Sequence, residues 1–485
     1  MKIKNLILLP ALSMILASCA NANSFSSYYR IDDPISSSSK DEHSSEDKPI
    51  SSENEPISSE LPISSFQFSV SGVNTLRSPA DINHRFPNDI YATEGFKEFR
   101  AKMKAFSAKL SDFFTKRYFA NNSNFVMSPL SIELCLGLAM RSAGGQTRNE
   151  ILAAFDMDYE TFNTNYKHYF DFLYHSYKNN MDYTTSQLLL TNSIWIDDDV
   201  ELKADGLDAL RDDYYCYSYD VDFDKHNAEA NQAIKEFINY HTRGLINPDL
   251  SLDPMTVFVL MNILYVKDIW NEIGADLPYA PTSYVFTNSD GSKSNKQLLD
   301  SQSYFEGKPI VTDDYSCFYA QTSNYYKLYF IKPNEGKNLK NVFNKDTLDY
   351  VLDNKNIVVN DHDKLETYET KICFPEFEVA GDYELSEMFH NDLGLTSMFN
   401  HATCNMSSLT DDEVYCSEVK QLTKLEVNKK GIEGAAVTYM AYAGAAGPGP
   451  YTLVQDTFVV DKEFGFVLTY LDGVVFSGII NNIDK

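Results

Sequence analysis

Positive charge is scarce in this chain. Lys and Arg number 41 against 69 Asp and Glu, which gives a formal net charge of −28 at pH 7 over 485 residues. A protein that binds nucleic acid needs a basic surface to neutralise phosphates, and this balance supplies none. The composition therefore argues against nucleic acid as a partner, and we attribute the acidic surface to solubility.

Catalytic signatures are also missing. The sequence has no His-Glu-x-x-His zinc motif, no Gly-x-Ser-x-Gly nucleophile elbow and no Gly-x-x-x-x-Gly-Lys phosphate loop. Its nine histidines are scattered without a pairing pattern. We therefore expect no enzyme, no metal and no cofactor. A lipoprotein hydrolase is a third hypothesis, for which no nucleophile and base can be named.

The N-terminus carries a short apolar segment that predicts export. Lys2 and Lys4 supply the positive start, and residues 6–16 are mostly apolar but too few to span a bilayer as a helix. The segment ends in Leu-Ala-Ser-Cys19, which resembles a bacterial lipobox, where the Cys is diacylated and becomes the new N-terminus. The lipobox spacing predicts a lipoprotein signal peptide over 1–18 and lipidation of Cys19. Two acyl chains on one Cys would anchor the protein durably in a membrane. The alternative is an ordinary secretory signal with a chance Cys.

The remaining cysteines are six in number. An even count in an exported protein permits disulfides, but no pair shows metal-type spacing. Their apolar contexts favour buried free thiols, and only Cys404 and Cys416 are close enough in sequence to suggest a bridge. The six are Cys135, Cys216, Cys317, Cys373, Cys404 and Cys416.

Composition divides the chain further. In residues 19–65 Pro-Ile-Ser-Ser recurs among Ser, Glu, Asp and Lys, so we predict a disordered tether that holds a domain away from a membrane. Residues 66–94 form an N-terminal extension of uncertain packing. We place the folded domain at 95–485. The predicted location is the extracellular or periplasmic side of the cell membrane.

Hydrophobic periodicity predicts helices early and strands late. One helix face is expected from Phe99 to Phe114 and a second, more apolar helix over 131–140. The pattern predicts strands over 188–196, 255–266, 422–427, 451–460, 464–471 and 474–480. This order indicates an α+β fold with a large, partly buried sheet.

The segment that follows the strand at 424–428 is the most informative part of the chain. Residues 431–438 read Gly-Ile-Glu-Gly-Ala-Ala-Val-Thr, with two glycines at which the backbone can bend and small side chains between them. Such a run can slide between other strands, because its side chains clash with little. We infer that function lies in the movement of this segment.

Several segments, taken in order, resemble the serpin family over residues 96–485. They are Asn124–Ile132, Gly144–Thr147 with Glu150–Leu152, Thr191–Trp195, Thr256–Asn262 followed by Val266, Lys267 and Trp270, Phe374–Phe377, Leu393–Leu395 and Phe476–Gly478. Asp268 stands where the family usually has Gly. The resemblance implies a monomer with the serpin fold, in which helices pack on a large central β-sheet with smaller sheets and an exposed reactive loop.

The resemblance also implies a function. Serpins act as single-use inhibitors of serine or cysteine proteases: the protease cleaves a bait bond, and the loop then inserts into the central sheet with the protease still attached as an acyl-enzyme. The expected partner is an extracellular serine protease. The alternative is a non-inhibitory serpin that acts as a binding or adhesion module.

Counting from the family's hinge Gly, here Gly431, places the bait bond between Ala445 and Ala446. The alternative bonds are Tyr439–Met440, Met440–Ala441 and Tyr442–Ala443. Small, uncharged residues around Ala445 predict an elastase- or subtilisin-like target, or a chymotrypsin-like one if cleavage follows a Tyr. The implied hinge residues are Gly431, Ile432, Glu433, Gly434, Ala435, Ala436, Val437 and Thr438.

Some positions depart from the family pattern. Ile432 replaces Thr or Ser and predicts slower insertion, Gly434 replaces Ala, and Lys429 replaces a Glu just before the hinge. The family's polar shutter group maps onto Ser128, Ser131, Asn262 and Gln421. Gln421 stands in place of a His, and its amide is expected to keep that network satisfied.

Overall fold

The computed structural model describes residues 4–11, 66–79, 90, 92–120, 123–176, 187–270, 275–353, 356–433, 451–470 and 473–484. One compact unit, Met1–Ser18 with Phe68–Lys485, holds every element named below, and a second unit spans Cys19–Gln67. Within the described ranges, no helix combines the length and the apolar character needed to cross a bilayer.

Helices dominate the first half of the chain, as predicted. The described residues form α1 (Glu94–Tyr118), α2 (Pro129–Ser142), α3 (Gly145–Ala154), α4 (Tyr159–Ser176), α5 (Ala204–Tyr214), α6 (Asn227–His241), α7 (Leu339–Val342), α8 (Lys345–Leu352) and α9 (Ser386–Asn391). In α1, Phe99, Met103 and Leu110 are buried on one face, which confirms the predicted helical spacing. Thr93 caps this helix, its hydroxyl accepting a hydrogen bond from the amide of Phe96 at 3.3 Å.

A central sheet of eight strands organises the fold. Its strands are β1 (Lys4–Ala11), β2 (Asn74–Arg77), β4 (Gln187–Asp197), β5 (Cys216–Val221), β6 (Thr256–Ile269), β16 (Phe377–Glu384), β17 (Val414–Val427) and β18 (Gly431–Ile432). Across the sheet, β16 pairs with β17, β1 and β18 lie between β17 and β6, and β4, β5 and β2 follow. Nearly every side chain of β6 is buried, as in a sheet covered on both faces.

Three smaller sheets complete the fold. One contains β3 (Phe125–Met127), β11 (Ile310–Val311), β12 (Tyr315–Gln321), β13 (Lys327–Pro333), β20 (Phe464–Tyr470) and β21 (Gly473–Ile480). Another contains β9 (Leu299–Asp300), β10 (Phe305–Glu306), β14 (Asn360–Asp361), β15 (Glu366–Phe374) and β19 (Thr452–Val459). The last is the pair β7 (Tyr284–Thr287) and β8 (Lys293–Lys296).

One predicted strand is much longer than the sequence indicated. We expected residues 422–427, whereas β17 begins at Val414 and has 14 residues. Its first half mixes polar residues such as Glu418 and Lys420 with buried Cys416 and Val419, so the apolar alternation is diluted. Pairing with β16 along the sheet, rather than local pattern, fixes this strand.

The N-terminal segment lies in the central sheet. The backbone of β1 runs parallel to both β17 and β6, from Asn5 beside Thr256 to Ala11 beside Ile263. Residues 4–11 precede the predicted cleavage site, and the structure of the uncleaved chain places them in a central position of the sheet. Their removal by signal cleavage stays a prediction, and it would vacate this position.

The cysteines of the described part of the chain are all free. Five of the six are buried, and only Cys404 is partly exposed. Burial raises the pKa of the Cys135 and Cys216 thiols, which disfavours the reactive thiolate. This agrees with buried thiols rather than a disulfide framework.

A completely buried carboxyl group in α2 predicts a pH-dependent stability. Glu133 accepts a hydrogen bond from the Ser107 hydroxyl through Oε1, while Oε2 has no partner, and burial raises the pKa to about 8 from an ordinary value of 4.5. The folded state therefore holds a proton that the unfolded chain releases, so stability falls as pH rises from about 4.5 through 8. We expect Glu133→Gln to raise the apparent Tm by at least ~2 °C relative to the parent at pH 8 and less at pH 5.

Scanning calorimetry at one scan rate measures this difference. Glu160→Gln, on the exposed surface of α4, is the matched control and should leave the Tm unchanged at both pH values. An equal Tm shift for Glu133→Gln at pH 5 and pH 8 would contradict the assignment.

Candidate functional site

The hinge segment enters the central sheet directly after β17. β18 runs antiparallel to both neighbours, with Ile432 paired to Val427 of β17 and to Asp268 of β6. Ile432 is completely buried. The first two residues of the implied reactive loop thus already form a short strand between β17 and β6.

A tight turn connects β17 to β18 and is held by one side chain. The Asn428 side-chain oxygen accepts hydrogen bonds from the amides of Lys430 at 2.8 Å and Gly431 at 3.3 Å. Asn favours such turns because its side chain mimics a backbone carbonyl. The Trp270 indole N–H donates to the Asn428 carbonyl at 2.6 Å, which fixes the turn to the end of β6.

Lys429, the reversed charge before the hinge, has its own partners. Its Nζ lies 2.7 Å from an oxygen of Asp276, and its amide donates to Glu376 Oε1 at 2.8 Å. The Asp276 hydrogen bond raises the pKa of Lys429. Because this pair is solvent-exposed, it orients the turn more than it stabilises the fold. The sequence shows the reversed charge at this position, but it does not identify Asp276 as the ion-pair partner of Lys429.

Asp268 is a buried carboxylate beside the hinge. Its oxygens accept hydrogen bonds from Ser323 Oγ at 3.2 Å, from Asn324 Nδ2 at 2.8 Å and from the Asn324 amide at 3.2 Å. Three donors satisfy a charge that would otherwise be costly to bury. The sequence marked this position only as a departure from Gly, and the structure shows that it joins β6 to the turn at 322–325.

Glu433 ends the described part of the hinge in a strained, half-buried position. Its φ is +40°, a left-handed conformation that non-glycine residues rarely adopt. The Tyr265 hydroxyl donates to its carboxylate, and the charged side chains near it are Lys267, Glu426 and Lys424. Burial, more than any of these neighbours, raises the pKa of Glu433 to about 7.

The rest of the implied loop and the lipidation site lie outside the described residues. These are Cys19 and the segment Gly434, Ala435, Ala436, Val437, Thr438, Tyr439, Met440, Ala441, Tyr442, Ala443, Ala445 and Ala446. Their assignments stay predictions.

The four implied shutter residues lie together at the centre of the sheet, and all are completely buried. Gln421 forms a two-way pair with Ser128: its amide donates to the Ser128 carbonyl at 2.9 Å, and the Ser128 amide donates back at 3.1 Å. The Ser131 amide donates to Ser128 Oγ at 3.2 Å, and the Ser131 hydroxyl donates to Asn262 Oδ1 at 3.0 Å. Asn262 donates in turn to Asn192 at 2.9 Å. A bonded path therefore links β17 to β6 and β4 through α2.

A group of three carboxylates elsewhere has a structural explanation. The ligand atoms of Asp197, Asp198 and Asp222 lie within 4.8 Å of one another. Asp197 uses both oxygens to accept backbone hydrogen bonds, from Asp199 at 3.2 Å and Phe223 at 3.1 Å. These bonds shape the loops that follow β4 and β5.

Comparison with known proteins identifies the family. The family model described as "Serpin (serine protease inhibitor)" matches residues 101–482. The chain belongs to the serpin family. Serpin-Z10 of Arabidopsis thaliana is 26% identical over 373 residues, covering 72% of this chain and 88% of that protein. Human antithrombin-III is 23% identical over 336 residues, covering 67% of this chain and 69% of its own length.

Solved structures confirm the predicted fold. Thyroxine-binding globulin in complex with thyroxine superposes with a TM-score of 0.62 at 19% identity, covering 80% of this chain and 99% of that structure. At this identity the likeness speaks for the fold alone. Serpins are in general protease inhibitors rather than enzymes, and some members of the family are non-inhibitory.

The close backbone approach at Gly431 yields a prediction. A Cβ at this position would lie 1.9 Å from the Asp268 carbonyl oxygen, so the backbone of β18 would have to move away from β6. We expect Gly431→Ala to destabilise the fold by about 1–3 kcal/mol, as overpacking does in a core. Equilibrium urea unfolding measures the change. Gly95→Ala is the control, since no heavy atom lies within 4 Å of the added Cβ. A neutral Gly431→Ala would show that β18 is not seated against β6.

The pKa of Glu433 predicts that the hinge loosens with rising pH. The folded pKa of about 7 exceeds the ordinary 4.5, so the seated hinge is most stable below pH 4.5 and loses stability as pH rises through 7. Glu433→Gln should remove this dependence. Amide exchange of Ile432, compared between variant and parent at each pH, should give equal protection at pH 5 and greater protection for the variant at pH 8. Glu413→Gln, an exposed site just before β17, serves as the control. Identical protection of parent and variant at pH 8 would refute the assignment.

Proposed function

We propose that this serpin inhibits a serine protease by presenting a bait bond after Ala445 and inserting the cleaved loop between β17 and β6. The observation that carries the proposal is β18, which already occupies the first position of that path, antiparallel to both strands. Insertion then continues an existing strand rather than starting a new one.

The register of β18 determines where each loop residue would lie. Ile432 is opposite Val427 and Asp268, and each further loop residue moves one position back along both strands. Thr438 would therefore meet Gln421 and Asn262 of the shutter group. Inserted loop and shutter share the same level of the sheet.

The length of the two strands supports the predicted bait bond. By the same count Gly444 meets Thr256, the first residue of β6, and Ala445 meets Val414, the first residue of β17. The irregularity of β17 near Ser417 changes this count by one residue. A bond after Tyr439 or Tyr442 would leave the far end of the channel without a partner strand. The full channel length thus favours cleavage next to Ala445.

The side chains along the path also favour insertion. Even-numbered loop residues face the same side as buried Leu425, Thr423, Gln421 and Val419 of β17. The even-numbered residues are Gly434, Ala436, Thr438, Met440, Tyr442 and Gly444. None is charged, so insertion buries no unpaired ion.

Insertion requires that β1 leave the sheet. Ala11 lies beside Leu422 and Ile263, the positions that Val437 would take. Signal cleavage before Cys19 would remove β1 and leave a lipid on the new N-terminus. We therefore propose a membrane-anchored monomer of the cell exterior or periplasm, whose channel opens once the signal segment is gone.

We infer the class of the target protease from the residues around the bait bond. Ala445 and its small neighbours suit the shallow pocket of an elastase-like protease or the tolerant pocket of a subtilisin-like one. A trypsin-like pocket would leave its buried acid unpaired against Ala. The second candidate function, a non-inhibitory binding or adhesion module, is favoured by bulky Ile432 and by Gly434 in the hinge.

The test is incubation of the protein lacking residues 1–18 with pancreatic elastase and with subtilisin. An inhibitor gives an SDS-stable complex and releases a fragment that begins at Ala446, which intact-mass analysis identifies. Trypsin serves as the negative protease. Cleavage with no complex by either enzyme would support the binding-module function, and a cut after Lys or Arg would overturn the target class.

A charge placed on the inserting face should convert inhibitor to substrate. Thr438→Arg would bring a guanidinium against Gln421 and Asn262 in the buried centre of the sheet, where an uncompensated charge costs several kcal/mol, or about 3–5. We expect the complex yield to fall at least tenfold while cleavage continues. Val437→Arg is the matched comparison, because its side chain would face the opposite side of the sheet, where its β17 neighbour Leu422 is half-buried whereas Gln421 is completely buried. Equal complex yields from the two variants would exclude insertion along this path.

A further inference from the structure

The segment 68–77, which we name the N-terminal strap, packs against the outer edge of the central sheet. Its strand β2 pairs antiparallel with β5, placing Asn74 opposite Asp220 and Thr75 opposite Tyr219. The sequence indicated an extension of uncertain packing here. The structure makes it an added edge strand.

One aromatic ring of the strap completes a cluster between sheet and helix. Phe68 meets Trp195 of β4 edge-to-face at 5.6 Å and Tyr219 of β5 at 5.3 Å. Trp195 in turn meets Phe237 of α6 at 5.4 Å. Phe68 thus covers the junction at which α6 is seated on the sheet.

Polar contacts hold the strap at both ends. The Ser69 amide donates to Glu236 of α6 at 2.8 Å, and the Ser69 hydroxyl bonds the same carboxylate. At the other end Arg77 Nε lies 2.7 Å from Asp208 of α5. The strap therefore joins α6 to α5 across β5.

The attachment to α5 matters because the start of α5 is bonded to the segment just before β17: the amide of Lys203, the residue before α5, donates to the Leu409 carbonyl at 2.8 Å, and its Nζ lies 2.5 Å from Asp411. Arg141 of α2 lies 3.7 Å from Asp213 of α5. Ser128, which caps the N-terminus of α2, pairs with Gln421 of β17, and Ser131 of the same helix bonds Asn262 of β6. If β6 closes onto β17 once β1 is removed, admitting a strand between them requires β6, β4 and β5 to move from β17 by about one strand spacing, roughly 4.8 Å. The strap resists that movement, since it ties β5 and α6 to α5, whose start is bonded to the segment before β17.

We propose that the N-terminal strap is a positioning element of the inhibitory reaction: Phe68 and the Ser69–Glu236 contact hold α6 and the β5 edge in place and so slow the opening of the central sheet. This rests on the proposed function. Loss of the strap contacts would let the uncleaved loop insert spontaneously, which uses up the inhibitor without a protease.

The experiment compares Phe68→Ala and Ser69→Ala with the parent, each lacking residues 1–18. Thr75→Ala, exposed on the same strap and outside these contacts, is the matched control, and Phe68→Tyr is the conservative rescue. During incubation at 37 °C without protease, complex-forming activity should disappear about fivefold faster in Phe68→Ala, as expected for loss of an aromatic pair. Thr75→Ala and Phe68→Tyr should match the parent.

Amide exchange supplies a readout that needs no protease. In the two strap variants, exchange should quicken in α6 and in β6, whereas a merely local role would change α6 alone. Unchanged exchange in β6, or activity lost at the parental rate, would overturn the proposal. If the parent forms no complex with either protease, the proposed function fails, and faster β6 exchange in Phe68→Ala would still support the strap as a control on sheet opening.

Discussion

The channel between β17 and β6 is the constraint on which the rest of this structure depends. Two long central strands lie in one sheet without pairing to each other, and buried backbone amides and carbonyls need partners. β18 supplies them at one end and β1 along most of the rest. About a dozen ladder hydrogen bonds at roughly 1 kcal/mol each amount to a gain on the order of 10 kcal/mol for whichever segment fills the channel. In the proposed mechanism, this free energy becomes available to the reactive loop once β1 has left the sheet.

The polar group beneath the channel makes such an opening tolerable. An all-apolar centre would lock β6 to β17 through interdigitated side chains, whereas hydrogen bonds can be exchanged between two arrangements. The side-chain nitrogen and oxygen of Gln421 both bond backbone atoms of Ser128, so the hydrogen bonds of Gln421 do not depend on β6. Ser131 and Asn262 form the other half of the group. Because the N-terminus of α2 supplies both Ser128 and Ser131, a separation of β17 from β6 leaves one of these two contacts in place while the other is exchanged.

The sequence predicted what depends on local pattern and family resemblance. The face of α1, the strands β4 and β6, and the last two strands of the chain fall close to their expected bounds. The N-terminal half of β17, the partner of Lys429 and the role of Asp268 could not be predicted. Each depends on contacts between segments far apart in the chain, such as Lys429 with Asp276. The packing of the strap could not be predicted for the same reason, because Phe68 contacts Trp195 and Tyr219, which lie far from it in the chain.

The structure also revises the expected effect of Ile432. Its bulk suggested slow insertion, yet Ile432 is already completely buried between β17 and β6, so its desolvation precedes any cleavage. The first obstacle to insertion is the next residue. Glu433 has a φ of +40°, and a strand that continues from Ile432 requires an extended backbone there. Its carboxylate, bonded by Tyr265 and buried beside Lys267, must turn with it. In the proposed insertion, the rotation of Glu433, rather than the size of Ile432, is the step that separates a seated hinge from an inserting loop.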